Sequence, residues 1–148
     1  MSATDRDRLP SPGWSDKTEG YWLAAGKGRL AVQRCGSCGA HRWSPVPVCY
    51  SCGSLEWSWD EVAGTGTVFT YTWVDEAPHG AMSQLGAYNI SVIDLDGVQG
   101  ETVRYMGRVV DADKERLQCG LRVAVDFEPF DDEVAIPVFR VAEGAEQA

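Results

Sequence analysis

Histidine is nearly absent from this chain of 148 residues: only His41 and His79 occur. Neither stands with a serine or cysteine and a carboxylate in a pattern that builds a nucleophilic triad. No run of 18 apolar residues exists, which excludes a transmembrane helix. The stretch from Met1 to Trp14 is polar, carries Asp5, Arg6, Asp7 and Arg8, and lacks the apolar centre of a signal peptide. A cytoplasmic location is therefore expected, where disulfides are disfavoured and cysteines are left for metal or catalysis. There is no glycine-rich phosphate loop, because Gly64 and Gly66 precede a strand pattern and not a helix. No internal repeat or low-complexity tract appears. Basic residues are also scarce, 13 against 22 acidic, for a net charge of −9.

That charge is unevenly placed. From Met1 to Glu61 there are seven basic and seven acidic residues; from Val62 to Ala148 there are six and fifteen. An acidic body repels a phosphodiester backbone, so nucleic acid is not an expected partner. Between Lys17 and Cys52 the balance reverses, with Lys17, Lys27, Arg29, Arg34 and Arg42 against Glu19 alone. This region can be a solvated surface, or it can meet an anionic ligand or an acidic partner face.

The composition, 44% hydrophobic and 24% charged with 16 glycines, suits a soluble, turn-rich β protein able to bury a core without disulfides. Residues 1–14, with Pro10, Pro12 and Gly13, read as a flexible arm. Ser15 to Ala25 reads as a short helix, capped by Ser15 or Asp16 with Glu19 completing a capping box, and ended by Gly26 and Gly28. It is too short to be stable alone, so its aromatic face, Tyr21 and Trp22, must pack on this domain or on another protein. Strands are expected over Arg29–Arg34 and Leu55–Val62, the second with Trp57 and Trp59 on one face. From Gly64 onward the pattern is all β: strands at Gly66–Val74, Ala87–Leu95, Val98–Tyr105, Arg108–Val110, Leu121–Phe127 and Val134–Val141. Pro137 marks an edge or a bulge in the last of these. Asp75–Gln84 is a polar loop, and Asp113–Leu117 is a helical turn. The expected organisation is mainly β, with a helix and metal ribbon over 15–61 and a small Greek-key barrel of the OB type over 62–148.

Four cysteines carry the strongest chemical signal. Cys35-x2-Cys38 and Cys49-x2-Cys52 are two knuckles, Cys-Gly-Ser-Cys-Gly and Cys-Tyr-Ser-Cys-Gly. Gly39 and Gly53 fall where a turn around a metal needs positive φ. Four sulfurs leave no open coordination position, so the site is structural. Zinc and iron both accept four thiolates, and rubredoxins use iron in nearly this arrangement; zinc is the expected ion, with iron as the alternative. The segment has too few apolar residues for a core of its own, so the ion contributes about 10 kcal/mol to its folding.

The other candidates are weaker. Cys119 stands apart from the knuckles and reads as a buried or half-buried structural cysteine. His41 lies inside the ribbon, where the cage is already full. His79, in Ala77-Pro-His-Gly80, is the better-placed histidine for acid–base chemistry on a ligand, although a plain surface histidine accounts for it. Asp94 and Asp96 flank a turn, and Asp131, Asp132 and Glu133 form a solvated acidic run.

Taken in order, the aromatic helix with Tyr21-Trp22, the Arg34-Cys35 start of the ribbon, the two knuckles, Gly64-x-Gly66-x-Val68 and the closing Pro137-Val-Phe139 resemble a known family. It is the family of small proteins in which a rubredoxin-like zinc ribbon is joined to an OB-fold, formerly a domain of unknown function. The likeness runs from about Thr18 to Phe139. It implies a non-catalytic subunit that accompanies thiolase-like enzymes of acyl-CoA metabolism. Those partners are thiolases in acetyl transfer, or sterol-carrier-type homologues acting as retro-aldolases in steroid side-chain breakdown. It also implies that the OB-fold helps to receive the CoA arm. Within that reading Lys27, Arg29, Arg34 and Arg42 are candidate phosphate contacts, and Tyr21 and Trp22 are candidate partner contacts. Members often carry Pro-Pro-Arg before the second knuckle, where this chain has Pro45-Val-Pro-Val48 and so lacks a basic residue.

Three other readings compete. Ribbons and OB-folds also bind single-stranded nucleic acid, against which the acidic barrel half speaks. An enzyme in its own right would work through His79 or Cys119. An iron-loaded electron carrier would be red in solution.

Overall fold

The computed structural model describes residues 12–78, 80–98 and 102–144. Most of the expected arm and His79 lie outside them. The chain opens with a turn in which the Ser15 carbonyl accepts the Thr18 and Glu19 amides. Helix α1 follows, Glu19–Gly26, with Thr18 at its N-cap making no side-chain capping bond. The expected cap by Ser15 or Asp16 is not formed, because Thr18 Oγ1 turns back to accept the Ser15 amide at 3.1 Å. Two glycines let α1 approach its neighbours closely. A Cβ at Gly20 would lie 2.2 Å from Trp59 Cδ1, and one at Gly26 would lie 2.1 Å from the Glu133 carbonyl oxygen.

Strand β1, Leu30–Cys35, is the middle of a three-stranded antiparallel sheet flanked by β2, His41–Arg42, and β3, Trp57–Val62. Every residue of β1 except Arg34 is buried, and Leu30 and Val32 enter the same core as the barrel residues. Two-residue β2 is too short to leave a periodic trace in the sequence. Trp57 and Trp59 do share a face, with ring centroids 5.9 Å apart.

After Gly64, at φ +73°, a five-stranded antiparallel sheet curls into a half-barrel. Its strands are β4 (Thr65–Val74), β5 (Tyr88–Leu95), β6 (Arg104–Gly107), β7 (Arg122–Pro129) and β8 (Ala135–Val141), in the order β6-β5-β4-β7-β8. β4 serves both halves: its first residues pair with β7, and its whole length pairs with β5 through a register shift between Val68 and Thr70. Such an irregularity sharpens the twist that bends a sheet. β5 and β6 pair as a hairpin with Asp94 opposite Arg104; of the expected strand Val98–Tyr105, residues 99–101 lie outside the described residues and the observed strand begins at Arg104. The loop expected over 75–84 ends in a 3-10 turn, Gly80–Leu85. The Asp113–Leu117 turn forms as expected, with Asp113 Oδ1 accepting the Glu115 and Arg116 amides.

The curl closes at one point. The Phe139 amide donates to the Arg108 carbonyl at 2.7 Å, and the Val110 amide donates to the Phe139 carbonyl at 2.9 Å, making a parallel bridge between Val109 and Phe139. Buried Asn89 holds Val109 from the other side: its Nδ2 donates to the Val109 carbonyl and its Oδ1 accepts the Val109 amide. The Ser91 hydroxyl donates to the same Oδ1. Pro137, which has no N–H, sits in β8 at the end of the sheet order, as expected of an edge strand.

Asn89→Ala removes both bonds to Val109 and strands buried peptide groups. It is expected to destabilise the chain by about 2–4 kcal/mol in urea unfolding. Gly26→Ala drives a methyl into the Glu133 carbonyl and is expected to cost about 1–3 kcal/mol in the same assay.

Candidate metal centre and aromatic seam

The four ribbon sulfurs lie within 4.8 Å of one another. Cys35 and Cys52 are separated by 3.6 Å, and Cys38 and Cys49 by 3.7 Å. Four thiolates at about 2.3 Å from one ion in tetrahedral geometry stand about 3.8 Å apart, so the side chains present fit a metal ion. The two knuckles are near copies. Cys35 and Cys49 donate their amides to the Ala40 and Ser54 carbonyls, and their carbonyls accept the amides of Gly39 and Gly53. Both glycines have φ +75°. The Ser37 and Cys38 amides point at Cys35 Sγ, at 3.4 and 3.5 Å.

These amides act on the thiols. The Cys38 N–H is the main cause that holds the Cys35 thiol down to about 6. Burial raises Cys49, but the Cys52 and Ser51 amides outweigh it and lower that thiol as well. Cys38 accepts the Ala40 N–H, which lowers it, yet the sulfurs of Cys52 and Cys35 prevail and push it up to about 12. The knuckle amides thus favour thiolate at Cys35 and Cys49, while the neighbouring sulfurs disfavour it at Cys38. When bound, a divalent ion supplies positive charge and ties the two knuckles together; Cys35 and Cys49 anchor it from inside, while Cys38 and Cys52 remain exposed.

The four candidate phosphate contacts do not form one patch. Arg29 pairs with Glu61 at 2.5 Å, and Arg34 approaches Asp60 at 3.6 Å. Lys27 is exposed at the end of α1. Arg42 is only 7% exposed and is turned away from solvent: its Nε donates to Gln33 Oε1 at 2.6 Å. His41 hydrogen-bonds Asp60 through Nε2 at 2.9 Å and takes no place in the cage. Cys119 is exposed.

The two candidate partner contacts separate in the same way. Tyr21 is buried within the chain, where its ring packs on Trp22, Trp43 and Trp59 at centroid distances of 4.7, 4.5 and 6.3 Å. Trp43 stacks on Tyr105 at 4.7 Å, and Tyr105 packs on Phe139 at 5.6 Å. The Tyr21 and Tyr105 hydroxyls share a short hydrogen bond. Burial, with Tyr105 beside it, raises the Tyr21 phenol far above its ordinary value, and burial pushes Tyr105 up to about 12. Trp22 is half-buried on the rim of an apolar groove of about 420 Å³, whose walls include Trp43, Pro45, Met106, Ile136 and Pro137. Sequence reasoning missed Tyr105, Trp43 and the Gln33–Arg42 pair. The available signal was a glutamine between Val32 and Arg34 in a strand of otherwise apolar start.

Comparison with known proteins agrees with this architecture. Residues 22–58 match the family described as "ChsH2, rubredoxin-like zinc ribbon domain", and residues 59–128 match "ChsH2, C-terminal OB-fold domain". A solved structure described as "Ltp2-ChsH2(DUF35) aldolase" contains a chain 31% identical to this one, with a TM-score of 0.75. The match covers 88% of this chain and 98% of that one. A DUF35 protein of unknown function from Sulfolobus solfataricus, 12% identical, shares the fold at a TM-score of 0.55, over 86% of this chain and 87% of that one. A curated protein of Thermomonospora curvata, named "Probable enoyl-CoA hydratase alpha subunit", is 32% identical over 134 residues, which is 90% of this chain. This chain spans only 40% of that relative's length. The chain belongs to the ChsH2 family of rubredoxin-like zinc ribbons joined to OB-folds.

Cys49→Ser, or metal removal by a strong chelator, is expected to unfold the ribbon and withdraw Trp43 and Trp59 from Tyr21. Tryptophan emission should shift to the red, and the thermal midpoint should fall by about 10 °C or more.

Proposed function

We propose that this chain is a non-catalytic accessory subunit of an acyl-CoA-transforming complex, with a thiolase-like, sterol-carrier-type protein as its catalytic partner. The partner's reaction is acetyl transfer or retro-aldol cleavage, as in the shortening of a steroid side chain. The observation that carries this reading is the match to nearly the whole length of a chain in the Ltp2-ChsH2(DUF35) aldolase. The relative named as an enoyl-CoA hydratase subunit points to the same class of thioester substrate. In this reading the ion is zinc, which has no redox chemistry and suits a four-thiolate cage that serves only folding. The modules divide at Val62, where β3 ends its pairing with β1 opposite Leu30.

A role in receiving CoA is carried by Lys27, Arg29 and Arg34, which are open to solvent. Arg29 and Arg34 already face Glu61 and Asp60, so a phosphate must displace a carboxylate there, and each contact contributes little. Arg42, being buried, takes no part in it.

The tests are direct. The purified chain is expected to carry one zinc per chain by plasma mass spectrometry and to turn over no acyl-CoA alone. Used as bait in its host lysate, it is expected to retain a thiolase-like protein in stoichiometric amount. Iron in the site would overturn the metal assignment. A lysate that yields oligonucleotide-bearing proteins and no thiolase-like protein would overturn the partner assignment. Reversing Lys27, Arg29 and Arg34 to glutamate together is expected to weaken CoA binding to the assembled complex about tenfold; unchanged affinity would remove these three residues from the CoA path.

A further inference from the structure

Beside the metal cage lies a set of buried donors for which the described residues supply no acceptor. Gln33 is fully buried and Arg42 nearly so. Arg42 Nη1 and Nη2 and Gln33 Nε2 are buried with no hydrogen-bond partner among the described residues. Only Gln33 Oε1 is used; it accepts Arg42 Nε at 2.6 Å and the Val46 amide at 3.0 Å. Three neighbouring donor nitrogens, two of them on the positively charged Arg42 guanidinium and one on the neutral Gln33 amide, call for an anionic oxygen acceptor. The two Nη groups present the fork that a carboxylate fits. Burying such a charge unpaired costs several kcal/mol.

The residues that follow Arg42 directly in the chain also build the apolar groove. Trp43 and Pro45 line the groove, and the next amide, Val46, hangs on Gln33. Trp43 and Met106 also line a second hollow of about 320 Å³ that continues to Val92 on β5. Met106, at 61% exposed, lies between the two hollows. A free anion does not suit the donors, because the Nη atoms have essentially no accessible surface. A carboxylate reaches them only if residues beside Arg42 shift, and Trp43 and Pro45 are the neighbours that a protein segment seated in the groove touches.

We infer that the groove bounded by Trp22, Trp43, Pro45, Met106, Ile136 and Pro137 is the docking site for a partner segment that carries an apolar anchor next to an aspartate or glutamate. The carboxylate pairs with Arg42 and Gln33 when the segment seats. The inference rests on the proposed thiolase-like partner. It differs from the sequence expectation in placing the contact at the groove and Arg42, with Tyr21 serving as its floor.

The test measures association of the zinc-loaded chain with the captured thiolase-like protein by calorimetry. Met106→Glu is expected to weaken association at least tenfold while leaving the chain's melting temperature unchanged. Arg42→Met is expected to weaken association by a similar factor while the free chain melts at the same temperature or higher, since an unpaired buried charge has been removed. Leu55→Glu, at the exposed ribbon tip, is expected to leave association unchanged. Loss of association in Leu55→Glu with none in Met106→Glu would overturn the inference. So would an Arg42→Met chain that melts lower yet binds the partner normally, because it would show Arg42 satisfied inside the chain. A dimer of the wild-type chain in sedimentation velocity that Met106→Glu dissolves would assign the groove to a second copy and also overturn it. Failure of the wild type to bind any thiolase-like protein would instead sink the partner assignment of the preceding section.

Discussion

Tyr21 stands where the three parts of the molecule meet. It comes from α1, packs on Trp43 and Trp59 of the ribbon, and shares a hydrogen bond with Tyr105 of the barrel. The core it joins is common to both modules: Leu30 and Val32 of the ribbon sheet belong to the same buried cluster as Val68, Ile93, Val123 and Phe139 of the barrel. Gly20 and Gly26 matter for the same reason, since they let the short helix come near enough to both sides for one aromatic ring to reach each. The two hydroxyls resolve the cost of burying polar groups at such a seam by satisfying one another.

The metal cage acts on this seam from a distance. Residues 36–56 contribute few buried side chains, so the knuckles need the ion to hold their shape. Their shape in turn sets where β2 and Trp43 stand against Tyr105. A structural ion in a small ribbon thereby reaches the larger module and the groove between them. Under the proposed function, the same arrangement offers a partner a rigid, aromatic-lined surface whose geometry is fixed by four cysteines and a short helix.

Much of this was legible in the residues. Cys-x2-Cys spacing followed by glycine identified the cage because the turn chemistry is local. The β pattern from Gly64 onward identified the barrel half because alternation and glycine corners are local too. The strand at Val98–Tyr105 was placed too early, since Arg104 is paired by the register of β5 and not by any signal in Val98. Tyr21 and Trp22 read as one aromatic face that packs on this domain or on another protein, but the seam takes Tyr21 inward and leaves Trp22 on the rim. Arg42 read as a surface cation because it lies among other basic residues. Its burial follows from pairing with Gln33 across β1 and β2, a contact that nothing in the spacing announces.

The central claim is that the metal-held ribbon and the barrel together form one partner-facing surface. Hydrogen–deuterium exchange on the zinc-loaded chain, free and bound to the proposed thiolase-like partner, tests it most directly. The account predicts new protection at residues 43–46, 104–108 and 136–137, with little change at the ribbon tip around Tyr50 and Leu55. Protection confined to the ribbon tip, or to the 3-10 turn at Gly80–Leu85, would contradict it.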